Sequence, residues 1–253
     1  MAKTTTIAVL SQKGGTGKTT TVRTLTDALR RADVRTLAVD LDPQGNLSDY
    51  FDVPPDAEPT IADVLSGRAS AAEAIHDDLI PANLSLAEAE LMLGGKMGRE
   101  MTLRRALAKA PKGYEIILID CPPSLGLITV NGLAAAGEVM VPIQCEYYAL
   151  EGLSQLLRNV NLVSSNLNET LEVTTIVLTM FDTRTRLSIE VANEVRLHFA
   201  DRVCQSVIPR TVRLSEAPSF GQPITVFDPT SRGAVAYREL AKEVSNGAPQ
   251  RTR

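Results

Sequence analysis

One stretch limits how this chain can fold more than any other. Residues 6–33 read TIAVLS, QKGGTGK and TTTVRTLTDALRRAD in succession. A β-branched apolar run, a glycine-rich turn and a helix-forming segment follow without a break, which is the context a phosphate-binding loop requires. Gly14, Gly15 and Gly17 allow backbone N–H groups to turn inward, with Thr16 among them, where a Cβ would clash. A helix starting near Gly17 adds the partial positive charge of its N-terminus. Such a loop predicts Lys18 on the β- and γ-phosphates of a nucleotide, the Thr19 hydroxyl on Mg²⁺, and Thr20 donating near the α-phosphate. The usual pattern has glycine where Gln12 stands, so what remains is K-G-G-x-G-K-T, opening on a second lysine, Lys13.

Further apolar runs recur at 36–41, 115–120, 138–144, 174–180 and 203–209. They are continuously apolar rather than alternating, as expected of strands buried on both faces of a parallel sheet. Helical patterns fill the intervals at 18–33, 100–110, 150–167, 188–200 and 233–244. The alternation predicts an α/β fold, a doubly wound, mostly parallel sheet flanked by helices, in a single domain over 1–253. Residues 54–99 are less regular and are expected to be a helical insertion between strands, and 245–253 to be a frayed tail.

A magnesium–nucleotide site also needs carboxylates at strand ends. Asp120 closes EIILID, and Asp40 and Asp42 lie in VDLDPQGN, where alternate residues share a face until Pro43. Composition excludes several other chemistries. Two histidines, His76 and His198, leave no His-based triad or His-rich metal site. Three separated cysteines, Cys121, Cys145 and Cys204, form no C-x-x-C pair and suit a reducing compartment. The N-terminus carries no signal pattern and no apolar run approaches the ~20 residues of a membrane span, so a cytoplasmic protein is expected. The net charge of −4 gives no hint of nucleic acid, so DNA contact must come from a local patch.

Six blocks, KGGTGKTT, VDLDPQGN, LIDCPPSLGLITVNGL, VPIQCEYYALEGLSQLL, LTMFDTRT and VIPRTVRLSEAPSFGQPI, together closely resemble the ParA/Soj family of partitioning ATPases. The resemblance implies a P-loop NTPase of the deviant Walker A type, slow Mg²⁺-dependent ATP hydrolysis, and an ATP-bound homodimer. Lys13 then crosses to the phosphates of the other subunit, offsetting the repulsion of two facing triphosphates. Asp42 resembles the residue that orients the attacking water, Asp40 a support of the Mg²⁺ shell, and Asp120 a Walker-B carboxylate. Pro209 and Arg210 match positions lining base and ribose. Arg184 and Arg213 match positions that bind double-stranded DNA without sequence preference, within a cluster that also holds Arg186, Arg196 and Arg202 but Glu190, Glu194 and Asp201 as well. A ParB-like activator and association with the nucleoid are implied. The wording departs from the family at Ser11 and Thr16, and 83–101 is shorter than usual.

Related functions remain open at this point. A protein cargo in place of a chromosome or plasmid uses the same chemistry. A MinD-like membrane ATPase needs an amphipathic C-terminal helix, which AKEVSNGAPQRTR does not provide. A nitrogenase-iron-protein relative needs cluster cysteines in a context not found here.

Overall fold

The computed structural model describes residues 4–111 and 113–247. In chain order the elements are β1 (Thr5–Val9), α1 (Lys18–Arg30), β2 (Thr36–Asp40), α2 (Asn46–Tyr50), α3 (Ile61–Ser66), β3 (Leu79–Ile80), α4 (Ser85–Leu93) and α5 (Thr102–Leu107). They continue as β4 (Ile116–Asp120), α6 (Leu127–Ala135), β5 (Glu138–Gln144), α7 (Ala149–Asn166), β6 (Glu172–Phe181), α8 (Arg186–Phe199), β7 (Val203–Pro209), α9 (Val212–Glu216), α10 (Ile224–Phe227) and α11 (Arg232–Ser245).

The seven strands form one sheet in the order β3-β2-β4-β1-β5-β6-β7, and each neighbouring pair is parallel. Successive strand side chains face opposite layers. Ile7, Val9, Ala38 and Leu118 pack with Val22, Leu25 and Leu29 of α1 and with Tyr237 and Leu240 of α11. Ala8, Leu37, Val39 and Ile119 pack on the other side with residues of α3 to α8, such as Leu65, Leu86, Leu133 and Leu153. Leu25 and Leu29 are wholly buried, and burial of such a side chain is worth roughly 1.5–3 kcal/mol.

The chain leaves β1 toward β2 on one side and leaves β5 toward β6 on the other. That divergence opens a crevice at the carboxyl edge of the central strands, where open α/β sheets bind ligands.

Residues 54–99, expected as an inserted helical segment, also supply a strand of the sheet. Leu79 and Ile80 pair with Ala38 and Val39 at its edge. Two residues are too few to show any periodicity, and the pairing exists only because β2 lies alongside. Helix α6 also had no signal, because its sequence LITVNGLAA has no polar face to give a helical period. Its close seat on the sheet depends on Gly132, where a Cβ would meet Cys121 Sγ at 3.0 Å and Leu41 Cδ1 at 3.1 Å. Of the expected tail, Ser245 ends α11, and residues 248–253 lie outside the described residues.

Candidate nucleotide site

The loop after β1 turns through two left-handed glycines, Gly15 at φ +73° and Gly17 at φ +89°, before α1 begins at Lys18. A Cβ on Gly14, Gly15 or Gly17 would touch nothing within 4 Å, so the space over the loop is open. Thr16 is buried, and its carbonyl accepts a 2.9 Å bond from Thr179 Oγ1, which fastens the loop to β6. Thr20 is half-buried in the first turn of α1.

Three carboxylates converge on this loop. Asp40 and Asp120 are register partners at the ends of β2 and β4. Thr19 Oγ1 donates to Asp120 Oδ2 at 2.7 Å, while Asp120 Oδ1 is buried with no hydrogen-bond partner. Burial, together with the neighbouring Asp40, pushes the Asp120 carboxyl up to about 8, although the Thr19 bond and the charge of Lys18 pull the other way. Lys18 is itself 8% exposed.

Asp40 is better satisfied. It accepts from Asp42 N at 3.0 Å, Ser48 N at 2.9 Å and Ser48 Oγ at 2.8 Å. Burial pushes its carboxyl up to about 6 against those bonds. Asp40 therefore organises the loop that carries Asp42, whose own Oδ1 accepts from Gln44 N at 3.0 Å.

An unpartnered buried oxygen on Asp120, beside the Thr19 hydroxyl, suits a hydrated divalent cation. Among the described residues no group of three or more His, Cys, Asp or Glu could hold a metal. The donor set fits Mg²⁺, which takes one or two protein oxygens and completes its shell with water and substrate phosphates.

Lys13 is placed differently from Lys18. Its side chain is 60% exposed, and Nζ pairs with Glu146 Oε2 at 2.5 Å, on the loop after β5. Glu146 Oε1 in turn accepts from Gln144 Nε2 at 2.5 Å. Pro209 and Arg210 also lie at the carboxyl edge, with Arg210 N bonded to Phe181 O at 3.0 Å. β7 is three strand spacings from β1, about 14 Å, so an extended nucleotide could reach from loop to β7.

The two DNA candidates are both paired. Arg184 forks onto Asp182, Nε to Oδ1 at 2.9 Å and Nη2 to Oδ2 at 2.8 Å, and those bonds hold the Asp182 carboxyl down to about 2. Arg213 reaches Glu216 at 3.2 Å and Asp228 at 3.4 Å, with its guanidinium 5.5 Å from the Phe227 ring centre. Arg186 pairs with Glu190 at 2.6 Å. In this segment carboxylates already pair with three of the arginines, Arg184, Arg186 and Arg213.

A family model described as an AAA domain matches residues 4–173. The chain is 49% identical over 246 residues to the sporulation initiation inhibitor protein Soj of Bacillus subtilis, covering 94% of this chain and 97% of that one. It is 46% identical over 247 residues to the chromosome partitioning protein ParA of Caulobacter vibrioides, covering 94% and 92%. The chain belongs to the Soj/ParA family of partitioning ATPases. Among solved structures, one described as cobyrinic acid a,c-diamide synthase from Mycobacterium smegmatis, with bound ATP analogue and magnesium, is 40% identical. It superposes with a TM-score of 0.84 over 96% of this chain and 95% of that one. The expected Soj/ParA fold is thus the observed one.

Sequence reasoning did not reach Ser48, Glu146 or Thr179. Their partners lie 8, 133 and 163 residues away in the chain, and nothing in the local pattern marks them.

Proposed function

We propose that this Soj/ParA-family chain hydrolyses ATP as a face-to-face homodimer, and that the dimer binds double-stranded DNA without sequence preference. A ParB-like partner would stimulate hydrolysis and release it, moving a chromosome or plasmid. The protein would then work in the cytoplasm, on the nucleoid.

The observation that carries this reading is the contrast between the two lysines. Lys18 is buried at its own loop, whereas Lys13 is extended to the surface. Exposed apolar side chains fringe the same edge of the sheet: Leu84, Leu125, Tyr147, Tyr148 and Val212. A second copy closing over the loop would cover them and bring Lys13 to its phosphates.

Within one site, Lys18 and the loop amides bind the β- and γ-phosphates, and Thr19 and Asp120 would hold Mg²⁺. The ion, when bound, supplies charge neutralisation at the phosphates. Asp42 orients the attacking water, and Asp40 fixes Asp42 from behind. Pro209 and Arg210 line the base and ribose.

The diamide synthase named among the structural neighbours raises ATP-driven amide synthesis as a second reading. Releasing ammonia from glutamine would need a reactive thiolate. All three cysteines are buried, with Cys145 pushed up to about 11 by burial and the other two higher still. No helix among the described residues is long and apolar enough to cross a membrane.

Sedimentation of the purified protein with a non-hydrolysable ATP analogue and Mg²⁺ tests the proposal. Wild type should be a dimer and Lys13→Ala a monomer that binds nucleotide within about threefold of wild type, since one binding contact is lost only in trans. A wild-type monomer under saturating analogue would overturn the reading.

A further inference from the structure

Ser48 is the most completely engaged hydroxyl near the site. It lies on α2 and is 4% exposed. Its N–H and its hydroxyl both donate to Asp40 Oδ2, at 2.9 and 2.8 Å. The hydroxyl oxygen accepts the Ala82 N–H at 2.8 Å, from the segment following the edge strand β3. On its other side, Asp40 Oδ1 accepts the Asp42 N–H at 3.0 Å. One continuous set of hydrogen bonds therefore runs from Ala82 through Ser48 and Asp40 to the backbone of Asp42.

We propose that Ser48 is a positioning residue for ATP hydrolysis: its hydroxyl fixes the buried Asp40 carboxylate and thereby the loop that presents Asp42 to the attacking water. The inference rests on the Asp42 assignment made above. Asp40 is wholly buried, so each donor it accepts from is a charge-assisted bond that water does not replace. Removing the hydroxyl takes one donor from Asp40 and leaves the Ala82 N–H without its acceptor. The remaining ties of this loop are short-range or made by backbone: Leu41 N to Asp120 O, Gly45 N to Asp42 O and Gln44 N to Asp42 Oδ1. None of them holds the Asp40 carboxylate; on Oδ2 the Ser48 N–H alone is left, on a helix that has lost its tie to Ala82, so the slack falls on Asp42. Small displacements of a group that orients a reactant cost rate far more than binding.

Ser48 also lines a groove of about 340 Å³ between Pro43–Gly45 and Pro81–Ser85. Threonine carries the same hydroxyl on its β-carbon and should keep the bond to Asp40.

Steady-state ATPase kinetics on Ser48→Ala, Ser48→Thr, Asp42→Ala and the Asp42→Ala/Ser48→Ala double variant test the inference, with melting temperatures measured alongside. Ser48→Ala should lose about tenfold to a hundredfold in kcat with KM for ATP within about threefold. Ser48→Thr should retain most of the turnover, and the double variant should be no slower than Asp42→Ala alone. Should alanine fail to fold, Ser48→Cys, similar in size and a far weaker hydrogen-bonding group, should show the same fall in kcat. Wild-type kcat in Ser48→Ala beside an inactive Asp42→Ala overturns this inference alone. So does a threonine variant as slow as alanine, or a further loss in the double variant. Wild-type turnover in Asp42→Ala overturns the Asp42 assignment and this inference with it.

Discussion

Asp40, Asp42 and Asp120 carry the same side chain in three environments. Asp40 is held by Ser48 and the Asp42 amide, Asp42 is half-buried and accepts from Gln44 N, and Asp120 keeps one buried oxygen unpartnered. Burial, with the neighbouring Asp40, pushes the Asp120 carboxyl up to about 8, which favours its protonated form at neutral pH. A cation favours the ionised form, so binding of Mg²⁺-nucleotide should release up to about one proton at neutral pH and should tighten as pH rises toward 8. Calorimetry in buffers of different ionisation enthalpy counts that proton, and a count of zero at pH 7 would contradict the assignment. The DNA candidates present the opposite case of charges already matched. Asp182 competes with a phosphate for the Arg184 guanidinium, and an exposed pair costs little to open. Asp182→Asn should therefore raise affinity for arbitrary duplex DNA about twofold to fivefold at low salt, read by fluorescence anisotropy.

At the scale of elements, what the chain reveals locally and what it hides divide by length and pattern. β1, the loop and α1 were legible because glycines, a lysine and a helix-forming run lie side by side, and their geometry needs no distant partner. The pair Leu79–Ile80 was not, because a two-residue strand is defined by the β2 backbone beside it. Helix α6 was hidden by the lack of a polar face in its sequence, and its close seat on the sheet depends on Gly132. Gly132→Val should overpack that contact and destabilise the protein by about 1–3 kcal/mol. For a chain this long that lowers the melting point by roughly 2–4 °C per kcal/mol, measurable by calorimetry. At the start of α11, Ser231 Oγ accepts the Ala234 N–H at 3.2 Å. Ser231→Ala should cost about 1 kcal/mol by the same measurement, without changing the kinetics of hydrolysis.

For the whole molecule, the sheet order gathers every candidate group at one edge. Across that edge the loop after β2 brings Asp42, the last residue of β4 is Asp120, and the loop after β1 and the start of α1 bring Lys13 and Lys18. Beyond them the loops after β5 and β6 bring Glu146 and Arg184, and α9, after β7, brings Arg213. Dimerisation at this edge would double the arginines available to a duplex. If Arg184 and Arg213 of both protomers meet phosphates, log affinity should fall with log salt at a slope of about −3.6, and Arg213→Ala should reduce the slope by about 1.8. A slope indistinguishable from zero would remove DNA from the proposal. The phosphate loop, the parallel α/β class and the carboxylates at strand ends could be read from the chain alone, because backbone freedom at glycine and continuous apolar runs act within a few residues. Only the tertiary structure decided which carboxylate meets Thr19, which is tied up by Ser48, where Lys13 points and which arginines are already paired. Those outcomes depend on which strand or loop lies alongside, and a buried charge takes its chemistry from neighbours that are far away in the chain.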